Sequence, residues 1–110
     1  MNAKDLETFS HVPFLFWVKD TAGTYAWGNQ AIYQLVGEDV VGKTDYELVW
    51  KENADALRAE DKRALDSGSP IYLRERVDQS IRGGATLSVC KWPDEFEGKP
   101  CCFGISFAIE

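Results

Sequence analysis

The chain has one histidine, His11, and only three cysteines, Cys90, Cys101 and Cys102, so imidazole and thiolate metal ligands are scarce. Cys101 and Cys102 are neighbours in a strand-like stretch. Successive strand side chains point to opposite faces, so the two thiols should not converge on one tetrahedral ion, and no metal site is expected. An odd cysteine count without framework spacing argues against a disulfide scaffold. It fits a reducing compartment, with the thiols used as small buried apolar groups. Acid–base or nucleophilic catalysis needs a base beside its nucleophile. His11 is remote in sequence from every cysteine, so no catalytic residue is named and no enzymatic activity is expected of this chain.

Basic charge is also short. Lys and Arg number 12 against 18 Asp and Glu, a net charge of −6, and the cations are scattered. A nucleic-acid partner needs a basic stripe to neutralise phosphates, so none is expected. No apolar run reaches the ~18 residues of a membrane span. The start, "MNAKDLETFS", is too polar for a secretion signal. A cytoplasmic location without membrane insertion by this segment is the expectation.

Aromatic side chains, by contrast, are plentiful: four Trp, four Tyr and six Phe among 110 residues. They suggest a bulky core or an aromatic-lined cavity, the core being the commoner use. The length suits one domain with a single core.

Local patterns divide the chain. "DLETFSHVPF" reads as a short helix over about 5–10, ended by Pro13. "FLFWVKD" is aromatic and β-branched, hence a strand. It is apolar on both faces, with Leu15 and Trp17 on one and Phe14, Phe16 and Val18 on the other, which predicts a central strand covered on both sides. "DTAG" is a turn, and "TYAW" completes a hairpin. Asn29 is an N-cap candidate for a helix carrying Ala31, Ile32, Leu35 and Val36, and Gly37 ends it. In "VVGKTDYELVW", Thr44 and Glu47 have capping-box spacing, and Lys43 and Asp45 read as cap and surface charges. "KENADALRAEDKRALDSGS" is the strongest helix, with Ala54, Leu57, Ala64 and Leu65 as its apolar stripe. Three alternating strands follow. The first sets Ile71, Leu73, Glu75 and Val77 against Tyr72, Arg74, Arg76 and Asp78. The second sets Leu87 and Val89 against Ser88, Cys90 and Trp92. The third sets Cys101, Phe103, Ile105 and Phe107 against Cys102, Gly104, Ser106 and Ala108. "SIRGG" and "DEFEGK" are the turns between them.

Two strands, a helical middle and three strands is the element order of a PAS domain. "FWVKD", "NQAIYQLVG", "VGKTDYELVW", "SGSP" and the late "FGIS" resemble, in this order, the motifs of the bacterial PAS sensor family; "GKTDYEL" followed by Trp is the most specific of them. The chain departs from that pattern at its end, where "FAIE" replaces the Arg-Asp-Ile-Thr-like run that starts many output linkers. The resemblance implies an α+β fold, a five-stranded antiparallel sheet in the order 2-1-5-4-3 with helices across one face and a short N-terminal helix. It implies a single sensory domain over 1–110, with a helical lead at 1–12 and the core at 13–110, cut from a larger signalling protein. Such domains are input modules of histidine kinases and diguanylate cyclases, with the effector C-terminal to them. Haem-binding members use a His on the long middle helix and photoactive flavin members a Cys in the middle region. Neither residue stands there, so neither haem nor covalent flavin is expected, and noncovalent flavin has no positive signal.

Glu75 is the oddity of the pattern, a carboxylate in line with Ile71, Leu73 and Val77 on the apolar face. Such a group needs a partner or water. One reading is a salt bridge or edge exposure. The other is a small organic ligand held between sheet and helices by Glu75, Leu73, Val77, Val89 and Ser106, with Tyr46 and Trp50 as lid. The small row Gly104, Ser106 and Ala108 suits close approach of a helix or ligand. Leu6 and Phe9 lie outside the five strands and are expected to dimerise the chain through the N-terminal helix. A ligand-free dimerisation and relay module is the alternative function, and a thiol redox sensor the third.

Overall fold

The computed structural model describes residues 1–77 and 85–109, with backbone alone at 76, 77 and 85. The lead forms α1, Ala3–Leu6, and a 3-10 turn at Glu7–Phe9. The helix starts earlier than the composition suggests because Asn2, not Asp5, caps it. Asn2 Oδ1 accepts from the Asp5 N–H at 2.9 Å, and the Asp5 carboxylate accepts from the Asn2 N–H at 2.8 Å. The hairpin is β1, Leu15–Asp20, and β2, Tyr25–Gly28, followed by α2, Gln30–Val36. Asn29 caps α2, and Gly37 takes the left-handed conformation that ends it, at φ 86°. The Thr44–Glu47 capping box does form, but on a single 3-10 turn, Asp45–Glu47. A second such turn, Lys51–Asn53, leads into α3, Ala54–Ser67. The strands β3, Ile71–Val77, β4, Ala85–Phe96, and β5, Lys99–Ile109, complete the chain.

All strand pairs are antiparallel, and the order is β2-β1-β5-β4-β3. β1 is interior, between β2 and β5, and covered on both faces, as its double apolar pattern predicts. The turn expected at "DEFEGK" is shorter. Phe96 still pairs with Lys99, and only Glu97 and Gly98, both at positive φ, make the two-residue loop. Phe96 is buried and extends the strand because its side chain has a core to enter. The expected "SIRGG" turn lies outside the described residues.

The alternating strands give the sheet two different faces. α2, α3 and the 3-10 turns cover one, where Trp17, Tyr25, Ile32, Val36, Trp50 and Leu57 form a core. The lead covers the other, where Leu6 packs with Phe16, Val18, Phe96 and Phe103. Leu6 is 0% exposed within its own chain, and the half-buried Phe9 stacks on Phe16 at 5.2 Å. The sheet behind the lead already buries the Leu6 side chain, for which a dimer contact together with Phe9 is the expectation. Among the described residues no helix is long and apolar enough to cross a membrane.

Candidate ligand site on the helix-covered face

Each strand delivers a polar group to the helix-covered face by the same alternation. On β1, Lys19 follows Leu15 and Trp17 in line. On β4, Lys91 follows Leu87 and Val89, and on β3, Glu75 follows Leu73. On α3, Asp61 stands one turn after Leu57 and is fully buried with it. Lys19 Nζ lies 2.6 Å from Asp45 and 2.8 Å from Asp61, and 5.0 Å from the centre of the Tyr25 ring. Lys91 Nζ lies 2.9 Å from Asp61 and 2.8 Å from Glu75, the latter with the geometry of an ion pair rather than an aligned hydrogen bond. The Asp45 carboxylate also accepts from the Tyr25 hydroxyl at 2.7 Å and the Trp50 indole N–H at 2.9 Å. Arg58, on the half-exposed edge of α3, reaches Asp61 at 3.1 Å.

Asp45 is 0% exposed, so its expected role as a cap and surface charge is corrected. Lys43 does sit at the surface, paired with Glu38. Burial alone pushes the Asp61 carboxyl up, but the Lys19 and Lys91 ammonium groups outweigh it and hold the group below its ordinary range. Burial likewise lowers Lys91, and the carboxylates of Asp61 and Glu75 reverse that and raise it. Partly buried Glu60, 3.5 Å from Lys91, is pushed up to about 8 by desolvation and by the neighbouring Glu75 carboxylate. At neutral pH Glu60 therefore carries a proton. The side chains of Asp45, Asp61 and Glu75 face those of Lys19, Lys91 and Arg58.

The residues expected around Glu75 separate on inspection. Glu75, Val89 and Ser106 are buried on this face, and Leu73 is half-buried against its core. Trp50 is buried and bonded to Asp45. The side chain of Val77 lies outside the described residues. Tyr46 does not close over the sheet; it is 51% exposed and donates to Asp55 on α3 at 2.7 Å. Its place in the first turn of a 3-10 segment turns it outward while Asp45 turns in. The close approach expected at Gly104 comes from Trp17 on the adjacent strand, not from a helix. A Cβ on Gly104 would lie 2.3 Å from the Trp17 ring.

Two spaces bear on this face. A small cavity of about 20 Å³ lies among Leu15, Trp17, Ile32, Trp50, Glu75 and Leu87. That is room for about one water. A groove of about 590 Å³ opens between the lead, α2 and the end of the sheet, and Leu15 and Leu87 border both spaces. Two fully or nearly fully buried polar atoms on this face, Trp17 Nε1 and Ser106 Oγ, have no hydrogen-bond partner among the described residues. Buried polar groups are normally satisfied, so such atoms need an explanation.

The thiols are poorly placed for chemistry. Cys101 is in the lead-covered core, and Cys102 faces α3 on the other side of the sheet. Burial, reinforced by the Asp61 charge, pushes the Cys102 thiol up to about 12, and burial raises Cys90 and Cys101 as well. Among the described residues no group of His, Cys, Asp and Glu side chains is placed to hold a metal ion. His11 is exposed, its ring bonded to Gln30.

Sequence and structure comparisons agree with this architecture. The family described as PAS fold matches residues 9–101. The chain belongs to that family. No curated protein matches it by sequence. Its fold is similar to VqmA of Vibrio cholerae in a complex with ligand and DNA, at TM-score 0.82 and 19% identity over 98% of this chain and 51% of that one. VqmA bound to DPO is similar at TM-score 0.83 and 19% identity, over 96% of this chain and 57% of that one. The PAS domain of an HTR-like protein from Haloarcula marismortui is similar at TM-score 0.73 and 19% identity, over 97% and 90%. The chain thus spans about half the length of the VqmA chains, and at these identities the likeness concerns the fold.

Proposed function

We propose that residues 1–110 are a single sensory input domain of a larger signalling protein and that it takes a small organic ligand between the sheet and the helices. The observation that carries this reading is the cavity beside Glu75. A buried carboxylate and the unpartnered Trp17 indole N–H stand at one small space in an otherwise apolar wall. A ligand with a hydrogen-bond donor suits Glu75, and one with an acceptor suits Trp17. Occupancy requires the Leu15, Trp17 or Leu87 side chains to yield, since the space holds about one water. A ligand donor at Glu75 competes with Lys91, and Lys91 also holds Asp61 on α3. Binding is thereby transmitted to a helix without catalysis. The VqmA structures that hold DPO, or a ligand with DNA, support a ligand-binding role.

A ligand-free relay module is the second reading, favoured by the completeness of the Lys19–Asp61–Lys91 network, which leaves these ammonium groups fully paired. A kinase or cyclase output remains a proposal from family resemblance; the VqmA likeness adds a DNA-binding output as its competitor. Dimerisation through the N-terminal helix is part of the same proposal, with Leu6 packed on its own sheet and Phe9 half-buried beside it. The elevated thiols argue against redox sensing.

The test is a titration of heteroaromatic amine fragments into wild type and Glu75→Gln, followed through the Trp17 and Trp50 indole N–H resonances. Movement of both signals in wild type, with affinity about tenfold lower in Glu75→Gln, is the expected result. Equal affinity in both proteins removes Glu75 from the site. Silence of both indole signals across the library favours the relay reading.

A further inference from the structure

We infer that the groove between the N-terminal lead, α2 and the end of the sheet is a binding site of its own for an uncharged, largely apolar small molecule, read by the Ser106 hydroxyl. This goes beyond the Glu75 cavity. It shares Leu15 and Leu87 with that cavity but rests on Ser106, α2 and the 11–14 stretch, and it stands or falls whether or not ligand enters beside Glu75. At about 590 Å³ the groove is within the size range of small-molecule pockets, roughly 300–1,000 Å³.

Its construction indicates the ligand class. Pro13 before β1, Leu35 from α2, and Leu15, Leu87 and Ala108 from the sheet make an apolar lining. Gln30, Gln34 and His11 supply hydrogen-bonding groups, the first two being exposed on α2. No Asp, Glu, Lys or Arg lines the groove among the described residues. A charged ligand would therefore lose hydration without gaining a counter-ion. Ser106 is 0% exposed, its Oγ is unpartnered among the described residues, and it borders the groove. Once a lining side chain such as Leu15 or Leu87 yields, the hydroxyl can donate to and accept from a ligand's polar group, which restores what burial took from it.

The wall on the lead side is held firmly. Asn29, 2% exposed, donates from Nδ2 to the carbonyls of Phe9 and Phe14 at 3.0 and 2.9 Å. Its Oδ1 accepts from the Phe16 N–H at 3.2 Å and the Ile32 N–H at 3.3 Å. One side chain therefore pins both ends of the 10–13 stretch to β1 and α2. The groove is set by this scaffold rather than by side chains that happen to part.

The experiment is an amide and indole NMR titration of the chain with three probes that share one apolar body: p-cresol, toluene and p-toluate. p-Cresol should shift the amides of Leu35, Ser106 and Ala108 saturably. Ser106→Ala should weaken it about threefold to tenfold and bring it level with toluene. p-Toluate should bind at least about tenfold more weakly than p-cresol. Ala31→Phe, at a half-buried groove position on α2, should abolish p-cresol binding while leaving the amide spectrum folded. Absence of shifts at the groove amides overturns the proposal. So does equal p-cresol affinity in Ser106→Ala, or p-toluate binding as tightly as p-cresol. Shifts confined to the Trp17 and Trp50 indoles overturn it too, while leaving the Glu75 cavity standing. Groove shifts with silent indoles support it and count against that cavity.

Discussion

The two faces of the sheet are made by the same strands, one residue apart, yet they are held together by different physics. On the face under the lead, Phe16 meets Phe9, Trp27, Trp92 and Phe103 at ring-centre distances between 5.2 and 6.5 Å. Those contacts are apolar and weakly directional, and each contributes in proportion to the area it buries. On the face under α2 and α3, Lys19, Lys91, Asp45, Asp61 and Glu75 are buried within the apolar core. Buried ions are tolerable only while every partner is in place. The first face should lose stability gradually as groups are trimmed. The second should fail abruptly when one carboxylate is removed, and it is also the face with unpartnered donors and space.

The largest effect should follow Asp61→Ala, which leaves Lys19 and Lys91 each short of a counter-ion. The expected loss is about 3–5 kcal/mol, read from urea midpoints. Leu6→Ala on the other face should cost about 2–4 kcal/mol. Its sedimentation should match wild type, since Leu6 packs within its own chain. If Leu6→Ala proves the more costly of the two, the contrast between the faces is reversed. Gly104→Ala drives a methyl into the Trp17 ring and should cost about 1–3 kcal/mol. A full-sized Trp17 shift in the indole spectrum at no cost in stability would mean that the ring moves freely into the neighbouring cavity.

The pH dependence sharpens the comparison further, because its groups lie on one face. Folded Glu60 keeps its proton to about 8, while the unfolded chain releases it near 4.5. Between those values the folded state binds more protons, so stability falls as pH rises. The expected fall is on the order of 1 kcal/mol between about pH 5 and pH 8, allowing for the partial exposure of Glu60. Asp61 acts in the opposite sense. Its carboxyl is held below the ordinary 3.8, so its contribution is present above that value and is lost in stronger acid. The two together place maximum stability in mild acid. Glu60→Gln should flatten the decline above about pH 5; an unchanged slope would assign it elsewhere. The smallest effect is expected from Thr44→Ala, about 0.5 kcal/mol, because its capping box closes only one 3-10 turn. A midpoint shift several times larger would tie that turn rigidly to Asp45 and so to the charged face.

Much of this was legible in the residues. The period of two in "PIYLRERVD" puts Glu75 on the helix-covered face, and the resemblance of "VGKTDYELVW" implies the strand order that the coordinates have. The same period also marks Lys19 after Leu15 and Trp17, and Lys91 after Leu87 and Val89. The helical period marks Asp61 between Leu57 and Ala64. Those three signals were available, but a lysine at a strand's end reads as its exposed terminus, and an acidic residue in "RAEDKR" reads as solvated surface. Tyr46 and Asp45 show the opposite difficulty. They are adjacent in a segment without a long period, so no pattern says which turns inward.

Periodicity and turn chemistry are local, and they act through neighbours in the chain. They are enough to assign faces, caps and the PAS order of elements. Pairing is not local. Lys19 reaches Asp45 and Asp61 across 26 and 42 residues, and Lys91 reaches Asp61 across 30. No spacing rule encodes such separations. Which carboxylate neutralises which ammonium, which donors remain unpartnered, and whether Leu6 meets its own sheet or a second copy depend on the distances at which packed elements stop. Those distances follow from the summed volumes of the core side chains, a property of the whole packed molecule.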